Sequence, residues 1–388
     1  MPERPFWQGK RVLLTGHTGF KGAWLALWLQ RLGAEVTGVA LAPPTNPNLF
    51  ELAQVAQGMA SHICDIRDAQ ALAELVRQAR PDVVMHLAAQ ALVRASYRDP
   101  LQTFSTNVMG TAHLLDALRG LQGTRVAVMV TTDKVYRNLE HPYPYREDDT
   151  LGGHDPYSAS KAASELVIAS YRDAFLSQQG LAVASARAGN VIGGGDWAED
   201  RLIPDCVRAW QAGQTLAIRR PDAIRPWQHV LEPLAGYLRL AEALWQQPEL
   251  AGAYNLGPPT QEAATVRAVV ELARSPRQMC AVSYENDINS VHEAGWLALE
   301  TAKARTQLGV HPSWTLTDAV HRTMAWYQAQ HAGAGARALC EADIAAFEAV
   351  VSAERPRLYL TNSGLHNPTG AGLSPQAAYR VLSTAAAH

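Results

Sequence analysis

The chain has 388 residues, 47% hydrophobic and 18% charged, with a formal net charge of -2. That is enough apolar chain for a large core and two lobes, and the near-neutral balance gives no electrostatic case for nucleic acid or a membrane surface as partner. Cys64, Cys206, Cys280 and Cys340 stand apart with no CxxC, so no disulfide framework or metal site is suggested, and a reducing cytoplasm fits a chain in which no signal peptide or spanning apolar run is read.

Arg11-Val12-Leu13-Leu14 is a short apolar, β-branched run and predicts a buried strand. It leads into Thr15-Gly16-His17-Thr18-Gly19-Phe20-Lys21-Gly22, after which residues 21–29 predict a helix. The GxxGxxG spacing is close to the dinucleotide fingerprint. Gly16 permits the tight turn, Gly19 lets the backbone approach a pyrophosphate, and Gly22 lets helix and strand pack closely. The helix N-terminus adds N–H donors and the positive end of its dipole. An ordinary Gly-rich turn is the blander alternative, and the strand–loop–helix context argues against it. Thr18, Phe20 and Lys21 are expected at the cofactor with these glycines.

Residues 35–41 predict a second strand. An acid that holds the ribose of NAD normally follows such a strand, but here Ala42-Pro43-Pro44-Thr45 follows. No basic residue waits for a 2′-phosphate either, so NAD is expected rather than NADP. Residues 60–64 predict a third strand, 68–80 a helix, 82–88 a fourth strand, 101–118 a long helix, 126–130 a fifth strand and 182–186 a sixth. This alternation predicts an α/β fold, a Rossmann-type doubly wound parallel sheet with ligands outside the carboxyl ends of its strands. Ala88-Ala89-Gln90, Thr131-Thr132-Asp133-Lys134 and Ala188-Gly189-Asn190 all fall at such ends, which predicts one shared cleft.

Tyr157 and Lys161 stand four residues apart at the start of a predicted helix, on one face. A free tyrosine is a poor base, with a pKa of about 10. A nearby ammonium favours the phenolate, so the pair suits removal of a hydroxyl proton during an oxidation. Tyrosine and lysine at this spacing on a solvated face is the commoner case, and the Gly-rich loop in the same domain is what lifts the pair above it.

Beyond residue 190 the alternation breaks. Gly193-Gly194-Gly195-Asp196-Trp197 reads as a flexible turn, and Arg201-Leu202-Ile203-Pro204 enters a helix. Arg219, Arg220 and Arg225 cluster. A solvated basic face is the usual fate of such residues, and only Arg225, in Ile224-Arg225-Pro226-Trp227, is expected to clamp a diphosphate. Residues 1–190 are therefore read as the cofactor domain and 191–350 as a smaller C-terminal substrate lobe, with the chain free to cross between them. Residues 351–388 are read as an irregular tail.

TGHTGFKG, YSASK and TTDKVY together resemble the extended short-chain dehydrogenase/reductase family. RAGNVIGGGDWAEDRLIPD and IRPWQHVLEPLAGYL resemble one branch of it, the CDP-glucose 4,6-dehydratases, and the likeness covers most of residues 5–350. The resemblance implies a recycled NAD, oxidation of C4 of CDP-glucose, loss of water across C5 and C6, and reduction at C6, in deoxysugar and surface-polysaccharide synthesis. It implies Tyr157 as the base with Lys161 beside it on the nicotinamide ribose, Thr132 on the C4 oxygen and Asp133 as the acid at C6. Lys134 stands where the dTDP-glucose enzymes have a Glu that is the C5 base, and is either that base or a group that positions the sugar. Asp65 and Ile66 are implied at the adenine, and Leu87, Ala88, Gln90 and Thr106 along the cofactor groove. Asn190, Arg201, Leu202, Arg225, Asn255 and His292 are implied at the substrate, with Arg94 ordering a covering loop. A homodimer through helices 101–118 and 157–177 is implied too. A dTDP- or GDP-sugar dehydratase and a 4-epimerase are the nearest alternatives, and Asp133-Lys134 disfavours the epimerase. A non-catalytic NAD-binding sensor is disfavoured by the intact Thr132, Tyr157 and Lys161.

Overall fold

The computed structural model describes residues 2–141, 143–274, 281–284 and 295–353. The chain forms two compact units. The first, Pro2–Ile344, holds the sheet and the cleft. The second begins at Ala345, and its described residues, 345–353, are helical.

Seven strands form one parallel sheet: β1 Arg11–Thr15, β2 Glu35–Ala40, β3 Ala60–Ile63, β4 Val83–His86, β5 Val126–Val130, β6 Ala182–Ala188 and β7 Ala253–Leu256, in the order β7-β6-β5-β4-β1-β2-β3. Every residue of β4, β5 and β6 is buried. That is why these segments read as continuous apolar runs, since a parallel sheet is covered on both faces. β1 is the pivot, with Val12 registered between Val36 of β2 and Val83 of β4.

Six strands match the expected ones within a residue or two. The seventh was not foreseen, because Ala-Tyr-Asn-Leu is short, lacks β-branching and lies far beyond the regular alternation. Its pairing with β6 returns the chain to the first sheet after an excursion of some sixty residues.

The helix Phe20–Leu32 is buried almost all round, as expected of a helix enclosed between other elements. It packs on the sheet and against the helix Leu231–Gln246. Gly33, in the left-handed region at φ 86°, ends it. The helix Pro156–Tyr171 has both start signals: Asp155 caps it by accepting from Ser158 N at 2.9 Å, and proline stands at its first position.

The long helix expected over 101–118 is interrupted. Pro100–Phe104 and Gly110–Ala117 are α-helical, and Ser105–Met109 between them is a π-turn. Such bulges concentrate at functional sites. Here the bulge aims Asn107 inward, where it accepts from Gln90 N at 2.8 Å and donates to Gln90 O at 3.0 Å and Ser160 Oγ at 2.9 Å. The loop after β4 is thereby tied to the helix that carries Tyr157. No helix among the described residues is long and apolar enough to cross a membrane.

The Gly22 position sets how closely the first helix meets its loop. A Cβ there would stand 2.0 Å from Gly16 O, whereas one at Gly19 would meet only Gly16 O at 3.4 Å. Gly22→Ala is expected to destabilise the fold by about 1–3 kcal/mol, and Gly19→Ala to leave thermal unfolding near wild type. Equal unfolding temperatures for the two variants would contradict this packing.

Candidate active site

A cleft of ≈ 1140 Å³ opens at the carboxyl ends of the strands. One wall is the glycine loop. Gly16 adopts φ +80° and donates to Val39 O at 2.8 Å. A side chain there would stand 2.7 Å from Ala88 N, so only glycine allows the ends of β1 and β4 to meet this closely. Thr15 Oγ1 braces the same junction by accepting from Ala88 N at 3.1 Å. Gly19 is the N-cap of the helix Phe20–Leu32 and has no side chain to satisfy the first N–H groups. They remain available to an anion in the cleft.

Beyond the loop, the rim is Leu41, Ala42, Pro44 and Thr45, with Thr18 Oγ1 donating to Leu41 O at 2.8 Å. No carboxylate follows β2. Asp65, after β3, lines the cleft and is paired to Arg67 at 2.5 Å. The hydrogen-bonded guanidinium holds its carboxyl below the usual range. Ile66, Leu87, Ala88, Gln90 and Thr106 complete this half of the lining.

Three elements bring the reactive groups together. Thr132 caps the short turn Asp133–Val135 at the end of β5, and its Oγ1 donates to Asp133 Oδ1 at 3.0 Å. Asp133 is only 1% exposed and its Oδ2 has no partner. Lys134 Nζ reaches to 3.9 Å from Asp133 Oδ1. Tyr157, from the facing helix, shares a hydrogen bond with Thr132.

The YxxxK spacing predicts a phenol lowered by Lys161, and here the structure differs. Burial pushes the Tyr157 phenol above its ordinary pKa, opposed by the Thr132 hydrogen bond and the charge of Arg201. Lys161 Nζ donates instead to Val130 O at 3.2 Å. Burial lowers Lys161 to about 8, and it lowers Lys21, whose ammonium shares the cleft, to about 8 as well.

The opposite wall comes from the second half of the chain. Asn190, Arg201, Leu202 and Arg225 line it, and Asn190 Oδ1 is buried without a partner. Arg94 lies on the rim, 3.5 Å from Asp200, which also pairs with Arg219 at 3.4 Å. Asn255 is placed elsewhere. It is fully buried in β7, outside the cleft, accepting from Tyr136 Oη at 2.6 Å and donating to Tyr145 O at 2.9 Å and Glu300 O at 3.1 Å. A side chain so committed has nothing left for a ligand. His292 lies outside the described residues.

Some lining residues escaped the sequence. Arg219 and Arg220, read as a solvated face, border the cleft. The 193–197 segment, read as flexible, is pinned: Trp24 Nε1 donates to Gly194 O at 2.9 Å, Tyr327 Oη donates to Asp196 O, and Arg208 Nη1 donates to Trp197 O at 3.0 Å. It presents a buried Asp196, pushed up by burial, and a Trp197 Nε1 without a partner. Only the aspartate and tryptophan in a glycine run could have signalled this.

A model of the family described as GDP-mannose 4,6-dehydratase matches residues 13–323. The CDP-glucose 4,6-dehydratase of Salmonella typhimurium is 47% identical over 335 residues, covering 85% of this chain and 93% of that protein. The dTDP-glucose 4,6-dehydratase of Xanthomonas campestris pv. campestris is 28% identical over 81% of this chain and 92% of its own. Among solved structures, a dTDP-glucose 4,6-dehydratase from Streptomyces venezuelae with NAD and TYD bound superposes with a TM-score of 0.69 at 26% identity, over 83% of this chain and 98% of that one. A UDP-glucose-4-epimerase from Stenotrophomonas maltophila with bound NAD gives 0.73 at 22% identity, over 84% and 100%, and attests the fold.

Lys21 and Lys161 carry their charge below about pH 8 and lose it above. A bound pyrophosphate favours the charged forms. Affinity for a dinucleotide is therefore expected to be constant below that pH and to fall as pH rises through it, as read by tryptophan-fluorescence titrations on either side. An affinity independent of pH across this range would contradict the placement of both ammonium groups.

Proposed function

The chain belongs to the GDP-mannose 4,6-dehydratase family within the extended short-chain dehydrogenases/reductases, and we propose that it is an NAD-dependent lyase that converts CDP-glucose to CDP-4-keto-6-deoxy-glucose and water. The observation that carries the dehydratase reading is Asp133. It is a nearly sealed carboxyl with one oxygen unpartnered, beside the threonine that bonds Tyr157. An epimerase has no leaving hydroxyl at C6 and no use for such an acid. The CDP preference is supported by the Salmonella relative, whose identity far exceeds that of the dTDP enzymes.

NAD fits the cleft, because the close approach at Gly16 and the uncapped turn at Gly19 leave a backbone cradle that a Cβ at either contact would alter. Lys21, which lines the cleft, would hold the phosphates, Asp65 and Ile66 are taken to flank the adenine, and Leu87, Ala88, Gln90 and Thr106 line the groove. When bound, NAD supplies the oxidant for C4 and, later in the same turnover, the reductant for C6.

The residues then act in order. Thr132 holds the C4 oxygen and Tyr157 takes its hydroxyl proton. Tyr157 must be ionised to act as this base: burial opposes the phenolate, the Thr132 bond and the charge of Arg201 favour it, and a nicotinamide cation would add to them, while Lys161 is held on Val130 O. A 4-keto group acidifies the C5 proton, and Lys134, 3.9 Å from Asp133, is assigned to that side of the sugar, either as the base that takes the proton or as the group that positions the ring. Asp133 delivers a proton to the C6 oxygen as it leaves as water. Arg201, Leu202, Arg225 and Asn190 hold the nucleotide diphosphate and sugar, and Arg94 steadies the rim. In this division residues 1–190 serve the cofactor and 191–350 the sugar nucleotide.

The enzyme is taken to work as a homodimer in the cytoplasm. Leu101 is 81% and Leu166 64% exposed, with Phe104 and Phe175 also exposed on the same pair of helical segments and Tyr97 exposed on the preceding helix Val93–Arg98. A group of large apolar side chains of this kind marks an interaction face. Cys64 and Cys340, neither in a disulfide, suit a reducing compartment.

Incubation with CDP-, dTDP-, GDP- and UDP-glucose, followed by alkaline absorbance of the 4-keto product, is expected to show turnover of CDP-glucose foremost, and Tyr157→Phe to abolish it while preserving thermal unfolding. Unchanged turnover in that variant, or a preference for another nucleotide, would refute the assignment. Leu101→Lys combined with Leu166→Lys is expected to give a monomer by light scattering, and a persistent dimer would place the interface elsewhere.

A further inference from the structure

Glu165 lies one helical turn beyond Lys161, is 4% exposed, and does not line the cleft. Its carboxylate is nevertheless fully engaged. One oxygen accepts from Thr131 Oγ1, and the other accepts from Ser185 Oγ at 2.7 Å and Arg187 Nη2 at 2.9 Å. Three elements meet on this one group: the helix Pro156–Tyr171, the end of β5, and β6.

The residue gripped, Thr131, stands between two that face the chemistry. Val130 offers the carbonyl that takes the Lys161 ammonium, and Thr132 bonds Tyr157. Arg187 extends the network, donating to Tyr136 Oη at 2.8 Å and Glu147 O at 2.9 Å, and Tyr136 Oη reaches Asn255 of β7. A buried ion pair adds little net stability once desolvation is counted. What this one does add is a fixed register between helix and strand end.

We propose that Glu165 is a positioning residue for the dehydration: by clamping Thr131 it sets Thr132 against Tyr157 and holds the strand end whose Val130 carbonyl receives Lys161. This rests on the reading of Thr132, Tyr157 and Lys161 as the reacting groups. Other titratable groups also surround Lys161. Tyr157 shares its helix, Lys21 comes from the helix Phe20–Leu32, and His86 comes from β4, where burial keeps it neutral with a pKa lowered to about 3. Arg187 stands behind Glu165. Glu165 is the anion that raises Lys161 against the effect of burial.

The test compares Glu165→Gln, Glu165→Asp and the double variant Glu165→Gln/Arg187→Gln in CDP-glucose kinetics across pH. Glu165→Gln is expected to lower kcat on the order of 10- to 100-fold, the cost of a small misplacement of reacting groups, with KM unchanged. Its alkaline limb is expected at lower pH, because an ammonium without its anion loses its proton sooner. Glu165→Asp retains the charge but not the reach, so kcat falls while the limb stays in place. The double variant removes the stranded guanidinium and returns the limb towards wild type. Should Glu165→Gln alone fail to fold, the other two carry the comparison. A purely structural role would lower the unfolding temperature and leave the limb where it was.

Amide hydrogen exchange of residues 130–134 reads the clamp without turnover and is expected to quicken in both single variants. Wild-type kcat and limb in folded variants, a raised KM at constant kcat, or wild-type exchange would overturn the proposal. A wild-type protein inert towards CDP-glucose would count against the functional reading, while exchange would still decide the clamp.

Discussion

The close seating of one helix, Pro156–Tyr171, on the end of one strand, Val126–Val130, is the constraint on which the site depends. Strand ends in a parallel sheet expose carbonyls and turn residues that need partners when a second layer covers them. Here the partners are side chains from the facing helix. Lys161 satisfies Val130 O, Glu165 takes Thr131, and Tyr157 meets Thr132. Three successive residues of the strand end are thus matched to three on successive turns of the helix. A slip of either element by one residue would break all three contacts together, so the geometry is set by polar satisfaction as much as by apolar packing.

The same burial decides the electrostatics. It favours neutral forms: Tyr157 and Asp196 are pushed up, while Lys21 and Lys161 are drawn down. A site in this condition is strained towards whatever restores opposite charges to it. Diphosphates would recharge the lysines, and a cationic ring near Tyr157 would favour its phenolate. Tyr157 by itself is therefore a poor base, and a cation beside it would raise its power to take a proton. That coupling suits a reaction whose keto intermediate must not be released early.

Where the sequence was legible, a residue type had one physical use. Gly16 and Gly22 stand where a Cβ has no room, β4 and β5 are buried on both faces, and Tyr157 and Lys161 follow a capping Asp155 and a proline. It was illegible where a residue could serve two uses. Asn255 suits a phosphate contact as well as a buried knot, and only the tertiary structure shows Tyr136, Tyr145 and Glu300 around it. The glycine run at 193–195 signals a turn but not that Trp24, Tyr327 and Arg208 hold it still. The π-turn at 105–109 leaves no mark on apolar spacing, and β7 is too short to show a period.

The substrate end shows why charge counted along a chain says little about a site. The molecule carries a net charge of -2, yet Arg94, Arg201, Arg219 and Arg225 converge on one cleft. Bare guanidinium groups that close would repel one another. Asp200, in the left-handed region at φ 57°, holds two of them at 3.5 Å and 3.4 Å, long contacts on a half-exposed rim that are worth little on their own. Burial pushes the carboxyl of Asp196 up, and the charge of Arg201 works against that. A diphosphate presents more charge and more acceptor oxygens than either carboxylate, and planar guanidinium groups match it in pairs. Asp200 thus keeps Arg94 and Arg219 together through weak contacts, so that little attraction at the rim must be broken when a sugar nucleotide arrives.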